Sequence, residues 1–175
     1  MDLKNFIGGN NAKNSYSAKV VIDLERLTQS KILEKVLGKE SGSWSKEEVS
    51  RILKQARINL ILWKDGKQEE NKILISEPKN RQTDKGGFLW RHVGEMDGGY
   101  LGCQFNDFRF LLTSYGKKNM RFQFDLLIGE EMLGSSFSEF FEVVSMRKIQ
   151  QIRKQRSEYV RPSIHPYIFI FFIFF

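Results

Sequence analysis

Few residues in this chain could do covalent or metal chemistry. Its imidazole and thiol groups are limited to His92, His165 and one cysteine, Cys103. A transition-metal site needs more such ligands than these, and no spaced carboxylate cluster substitutes for them, so no metal is expected. The one arrangement with the parts of a nucleophilic centre is Cys103 with His92 and Asp97 or Asp107: a thiol, a base and an orienting acid. Cys103 lies inside an apolar alternation, where burial keeps a thiol protonated and inert. A buried structural thiol is therefore the expectation, and a small thiol-dependent hydrolase the lesser alternative. Gly8-Gly9, Gly86-Gly87 and Gly98-Gly99 are isolated pairs, without the Gly-Lys-Ser/Thr of a phosphate loop or a dinucleotide-binding spacing. No cofactor and no enzymatic activity are expected.

The chain does have an excess of cations. Its formal net charge is +7 and its pI about 9.5, a balance that favours polyanionic or acidic partners. Nucleic acid, an anionic membrane and an acidic protein all fit. The cations that could converge are Arg109, Lys117, Lys118 and Arg121 in one stretch, Lys79, Arg81 and Lys85 in a polar loop, and Arg147 with Lys148 further on. Phosphate capture needs several such side chains on one face. Base reading suits the bidentate fork of arginine, and Arg109 and Arg147, flanking strands, are the candidates. Tyr115 could stack or wedge beside them.

These cations need a scaffold, and residues 99–144 are its centre. Met120, Phe122, Phe124 and Leu126 alternate with Arg121, Gln123 and Asp125, the period of a strand with one buried face. A similar alternation before Tyr115 predicts a two-stranded arm with Lys117 and Lys118 at its turn. Gly129 to Ser138 reads as a loop, and Phe140 to Ser145 as a last strand.

Earlier in the chain the period is helical. Thr28, the stripe Ile32, Leu33, Val36, Leu37 and the stop at Gly38 predict a short helix. Ser45 with Glu48 is a capping box, flanked by Trp44 and Val49, ahead of the stripe Val49, Ile52, Leu53, Ala56. Then Ile58, Leu60 and Leu62, an Asp65-Gly66 turn and the return Lys72 to Ile75 predict a hairpin. A strand follows at Phe88 to Val93, and a turn at Gly94 to Gly99.

The segment Gln104-Phe105-Asn106-Asp107-Phe108-Arg109-Phe110, followed by a Ser/Gly/Lys turn and an alternating strand, resembles the Runt domain. Phe141-Glu142-Val143-Val144-Ser145 with Arg147 looks like that family's last strand and basic exit. The likeness spans residues 100–148. Gln104 stands where the family has its first arginine, lysines replace arginines in the turn, and the helices before Arg57 have no counterpart. A diverged member of the wider p53-like group is the closer description. The resemblance implies a transcription-factor DNA-binding module with an immunoglobulin-like fold, and contacts to DNA made by loops at one end of it. Arg109 takes the place of the family's second arginine, and Lys117 and Lys118 stand near its basic turn.

The expected fold is thus mainly β, an immunoglobulin-like β-sandwich of the p53-like kind with a short N-terminal helical pair. Residues 1–17 read as a flexible lead without the apolar run of a secretory signal, 18–148 as a single domain, and 149–175 as a basic and then apolar tail. The run Tyr167 to Phe175 is too short to cross a bilayer. It could be a strand, a membrane-surface contact, or a tail on a truncated chain outside the folded unit, which its lack of alternation favours. The expected function is sequence-specific binding of double-stranded DNA in the nucleus, with a protein partner or dimer possible. The alternative is a non-enzymatic domain recognising protein or anionic membrane, the latter through the C-terminal tail. The basic run Arg147 to Arg161 could also act as a nuclear-import patch.

Overall fold

The computed structural model describes residues 6–8, 15–28, 33–34, 38, 44–69, 73–75, 89–115, 117–155 and 168–173. The chain is mainly β, with few helices and two sheets, one of them a half-barrel. In order, the elements are β1 (Phe6–Gly8), β2 (Tyr16–Ile22), α1 (Leu24–Thr28), α2 (Lys46–Leu53), β3 (Ala56–Lys64), β4 (Lys67–Gln68), β5 (Ile73–Ile75) and β6 (Leu89–His92). They continue as β7 (Gly94–Met96), β8 (Tyr100–Phe110), β9 (Met120–Ile128), β10 (Glu131–Phe137), β11 (Val143–Ser145), α3 (Met146–Gln155) and β12 (Ile168–Ile173).

The seven-stranded sheet runs β11-β1-β8-β2-β12, with β5 and β7 also on β8; the five-stranded sheet runs β10-β9-β3-β4, with β6 also on β3. Alternating large apolar residues turn one face of each sheet toward the other. Phe105, Phe108 and Phe110 of β8 and Phe122 and Phe124 of β9 are fully buried. Phe110 stacks on Phe122 at 5.8 Å between centroids, Phe108 meets Phe122 edge-on at 5.8 Å, and Phe141 lies 4.8 Å from both Phe6 and Phe122. Offset and edge-to-face rings of this kind add to the gain from burying them.

The expected two-stranded arm is not formed. β8 and β9 belong to different sheets and do not pair; residues 111–119 carry the chain from one sheet to the other. Alternation shows that a strand has one buried face, but not which neighbour it bonds to. Here the rings of the two strands meet across the core instead of side by side. Ser114, buried, anchors the crossing: its N–H donates to the Val143 carbonyl at 2.8 Å, and its Oγ accepts from the Val143 N–H at 3.0 Å.

The capping box forms as expected. The Ser45 Oγ accepts from the Glu48 N–H at 3.1 Å and a Glu48 carboxylate oxygen accepts from the Ser45 N–H at 3.1 Å. Of the other helix of the expected pair, Leu33 and Glu34 are helical. Gly38, at φ +66, donates to the Glu34 carbonyl at 2.8 Å, a left-handed stop; residues 29–32 and 35–37 lie outside the described ones. Asp65 and Gly66 both have positive φ and close the β3–β4 hairpin as the Asp-Gly pair requires.

Several boundaries differ from the expectation. The return segment Ile73–Ile75 pairs with β8 in the other sheet, not with β3. Residues 129–138 contain β10, antiparallel to β9, where Leu133 is the only buried side chain and the alternation is correspondingly faint. Gly94–Met96 is a strand, so the chain leaves the five-stranded sheet at His92 and enters the seven-stranded one at Gly94. Within the supposed flexible lead, Phe6–Gly8 is a strand between β8 and β11. The C-terminal apolar run contributes β12, parallel to β2 from Ile168 opposite Ser17 to Ile173 opposite Ile22. An edge strand is held by backbone hydrogen bonds, which require no alternation of side chains.

Candidate nucleic-acid interface

Strand register brings one set of cations to one end of the molecule. Phe110 of β8, Gly8 of β1 and Ser145 of β11 lie side by side, so the C-terminal ends of β8 and β11 are roughly 10 Å apart at the usual strand spacing. α3 begins at Met146, directly beyond that row, with Arg147 and Lys148 exposed in its first turn. The crossing 111–119 starts from the same row, and the Ser114–Val143 hydrogen bonds tie it to β11. Lys117 and Lys118 project from it and are exposed.

The β3–β4 turn closes the other side of this end. The Asn119 side chain donates to the Asp65 carboxylate at 2.8 Å, and the Asp65 N–H donates to the Asn119 carbonyl at 3.0 Å. Lys64 donates to the Thr113 carbonyl at 3.1 Å and sits 4.6 Å above the Tyr115 ring. Lys67 pairs opposite Lys64 and is exposed. Lys64 and Lys67 were not among the expected site residues. Their signal was present, since both flank the Asp-Gly turn, but nothing in the sequence showed that this turn meets the 111–119 crossing.

Arg109 and Arg121 flank this end but point away from each other. Each is the outward residue between two buried ones, Arg109 on the seven-stranded sheet and Arg121 on the five-stranded sheet. Arg109 is half-buried, and its Nε has no hydrogen-bond partner. The Arg121 guanidinium lies 3.9 Å from the Phe137 ring centroid and 5.1 Å from that of Phe140, a stacked cation fixed by its aromatic neighbours. Its face is electrostatically mixed. Asp125, buried on the same side of β9, accepts from Gln123 at 2.8 Å and Ser135 at 2.6 Å. Lys79, Arg81 and Lys85 lie outside the described residues.

Two local features raise the positive potential of this end. The N-terminus of α3 is capped by the Ser145 Oγ, which accepts from the Lys148 N–H at 3.3 Å, and its first turn has cations but no acid. Positive charges at the positive end of a helix dipole repel it, and an anion there would relieve that. Lys148 is partly offset by Glu142 at 3.2 Å. Tyr115, 84% exposed, has φ +54, a conformation unfavourable for a bulky side chain.

The Gln104–Phe110 segment contains a bulge. Asp107 has φ +53, and the register with β2 shifts so that Phe105 and Phe108 both face the core. A strict period of two could not place both inward.

No family model, curated protein or solved structure matches the chain.

Of the residues considered for nucleophilic chemistry, Cys103, His92 and Asp97 line one cavity, and Asp107 does not. Burial pushes the Cys103 thiol far above its ordinary value, only partly opposed by the Arg91 charge. It is thus held as the neutral thiol at neutral pH. Among the described residues no helix is long and apolar enough to cross a membrane.

Proposed function

We propose that this chain is a non-enzymatic DNA-binding domain whose cationic end engages the phosphate backbone of double-stranded DNA. What supports this most is the placement of Lys117 and Lys118, from the 111–119 crossing, and Arg147 and Lys148, from the first turn of α3, at the end where β8, β1 and β11 terminate. Four or more cations from separate elements suit a run of phosphates better than a single carboxylate partner. Arg147, at the exit of β11, reads base edges, and exposed Tyr115 packs against sugar or base. Arg109 and Arg121, on opposite outer faces, contact backbone at the flanks. On this reading the two facing sheets are an immunoglobulin-like sandwich of the p53-like, Runt-related kind. The basic run from Arg147 directs the protein to the nucleus.

Binding to a short fluorescent duplex, measured over a salt series, tests the proposal. The intact chain should lose affinity steeply as salt rises. Alanine at Lys117, Lys118, Arg147 and Lys148 together should lower the log–log salt slope by roughly one unit per phosphate contact removed. Alanine at Arg51, exposed on α2, should leave the slope unchanged. Equal binding by the quadruple variant would end this reading. Competition by unrelated duplexes separates sequence-specific from general binding.

A second reading is favoured by the exposed aromatics Tyr115, beside Lys64, and Phe137 and Phe140, against Arg121, a combination suited to an anionic membrane surface. Co-sedimentation with phosphatidylserine vesicles that exceeds duplex binding at equal salt would favour it.

A further inference from the structure

We propose a second binding site, for a small organic anion, in the cavity between β2, β6, β7 and β8. The cavity is about 350 Å³, at the lower end of the range in which proteins hold small ligands. It is separate from the cationic end: Gly102 on its wall and Phe110 at that end are eight residues apart on β8, roughly 25 Å.

Topology opens this cavity. The chain passes from the five-stranded sheet in β6 to the seven-stranded sheet in β7 through the buried Val93, and the cavity lies beside this crossing. The wall there is built from small residues, Gly94, Gly102 and Cys103. Gly102 is needed for close approach, since an added Cβ would collide with the Val20 carbonyl oxygen. Gly94 differs: a Cβ on it meets nothing within 4 Å.

The lining selects for negative charge with an apolar body. Lys19 comes from β2 and Arg91 from β6, so two cations from different sheets line the cavity with His92; Arg91 also donates to the Trp90 carbonyl at 3.0 Å and lies 5.9 Å from the Phe105 ring centroid. Glu95 is engaged by Lys54 at 2.7 Å, and this leaves Asp97, exposed at the turn after β7, as the acid opposing them. Met96 and the uncharged Cys103 thiol supply the apolar contact. A carboxylate or phosphate group lies against Lys19 and Arg91, its carbon skeleton over Met96 and Cys103, and Asp97 accepts from a hydroxyl at the mouth. Both anion types use the same cations, so the shared chemistry is an anionic oxygen group on a small molecule.

The test is a titration of the isotopically labelled full chain, followed by amide shifts, with succinate, inorganic phosphate and the neutral succinamide. Saturable shifts at Gly94, Gly102 and Gln104 with succinate or phosphate, and none with succinamide, are expected. Succinate alone assigns a carboxylate ligand, phosphate alone a phosphate, and both together the shared anionic group. Gly94→Leu should fill the cavity and abolish the shifts, with the rest of the spectrum preserved. Lys19→Gln should weaken them roughly tenfold. In both variants duplex binding should be unchanged, so failure here is distinct from failure of the DNA reading. The site is overturned if neither anion shifts these amides, if succinamide does so equally, or if the shifts survive in a folded Gly94→Leu protein.

Discussion

The two ends of β8 are built on opposite principles. From Phe105 to Phe110 its inward side is aromatic, packed against Phe122, Phe6 and Phe141, and the chain beyond it carries cations outward. From Leu101 to Gln104 it is lined by small residues, Gly102 and Cys103, and a cavity lies beside it. At the first end large rings fill the space, so a ligand can only meet the surface, and recognition falls to exposed charge. At the second, Gly94 leaves open space beside β8, since a Cβ on it would meet nothing within 4 Å, and a ligand can settle there. Packing density, more than charge, thus decides which kind of partner each end can accept.

Substitutions that break one end and spare the other test this contrast. The largest effect is expected from Phe122→Ala, which removes the ring shared by Phe108, Phe110 and Phe141. It should lower stability by about 3–5 kcal/mol in urea unfolding. Gly102→Ala comes next. Its methyl group meets backbone at Val20 and the Met96 sulfur at 2.9 Å, so a loss of about 1–3 kcal/mol is expected, with amide shifts confined to the cavity end.

A smaller effect of opposite sign is expected at the cationic end. Tyr115→Gly relieves the φ +54 conformation and should raise the unfolding free energy by up to about 1 kcal/mol while weakening duplex binding. A stabilised variant with undiminished binding would remove Tyr115 from the interface.

The smallest effect concerns the Lys54–Glu95 pair that links α2 to β7. The hydrogen bond from Lys54, and then its charge, hold the Glu95 carboxyl below its ordinary value of 4.5. A folded value below the unfolded one contributes stability above the unfolded value, and this is lost as pH falls through the folded value. Unfolding compared at neutral and acid pH should therefore show a slightly smaller acid loss in Glu95→Gln than in the intact chain. Both groups are exposed, so the difference should shrink further in high salt.

Local signals in the sequence carried a good part of this molecule. Ser45 and Glu48 specified a helix start because both partners of the capping box lie within four residues. Asp65-Gly66 specified its turn because only certain residues tolerate positive φ. The alternation of β3 and β9 named their buried faces, and Ile58, Leu60, Leu62, Phe122 and Phe124 are all in the core. β10 was missed because one buried leucine in seven residues leaves almost no periodic trace. The Asp107 bulge hid the true parity of the segment that resembles the Runt domain.

The amino-acid order alone therefore determined the strongly patterned elements, α2, β3 and β9, and which side of each is apolar, because steric and hydrogen-bonding preferences act between residues close in the chain. Partnership was decided only in three dimensions. Whether β8 bonds to β9 or faces it, whether the last apolar run finds the free edge of β2, and whether Lys117 comes beside Arg147 all depend on which distant surfaces fit. Those choices are made by ring packing and backbone pairing across tens of residues, and no local pattern records them.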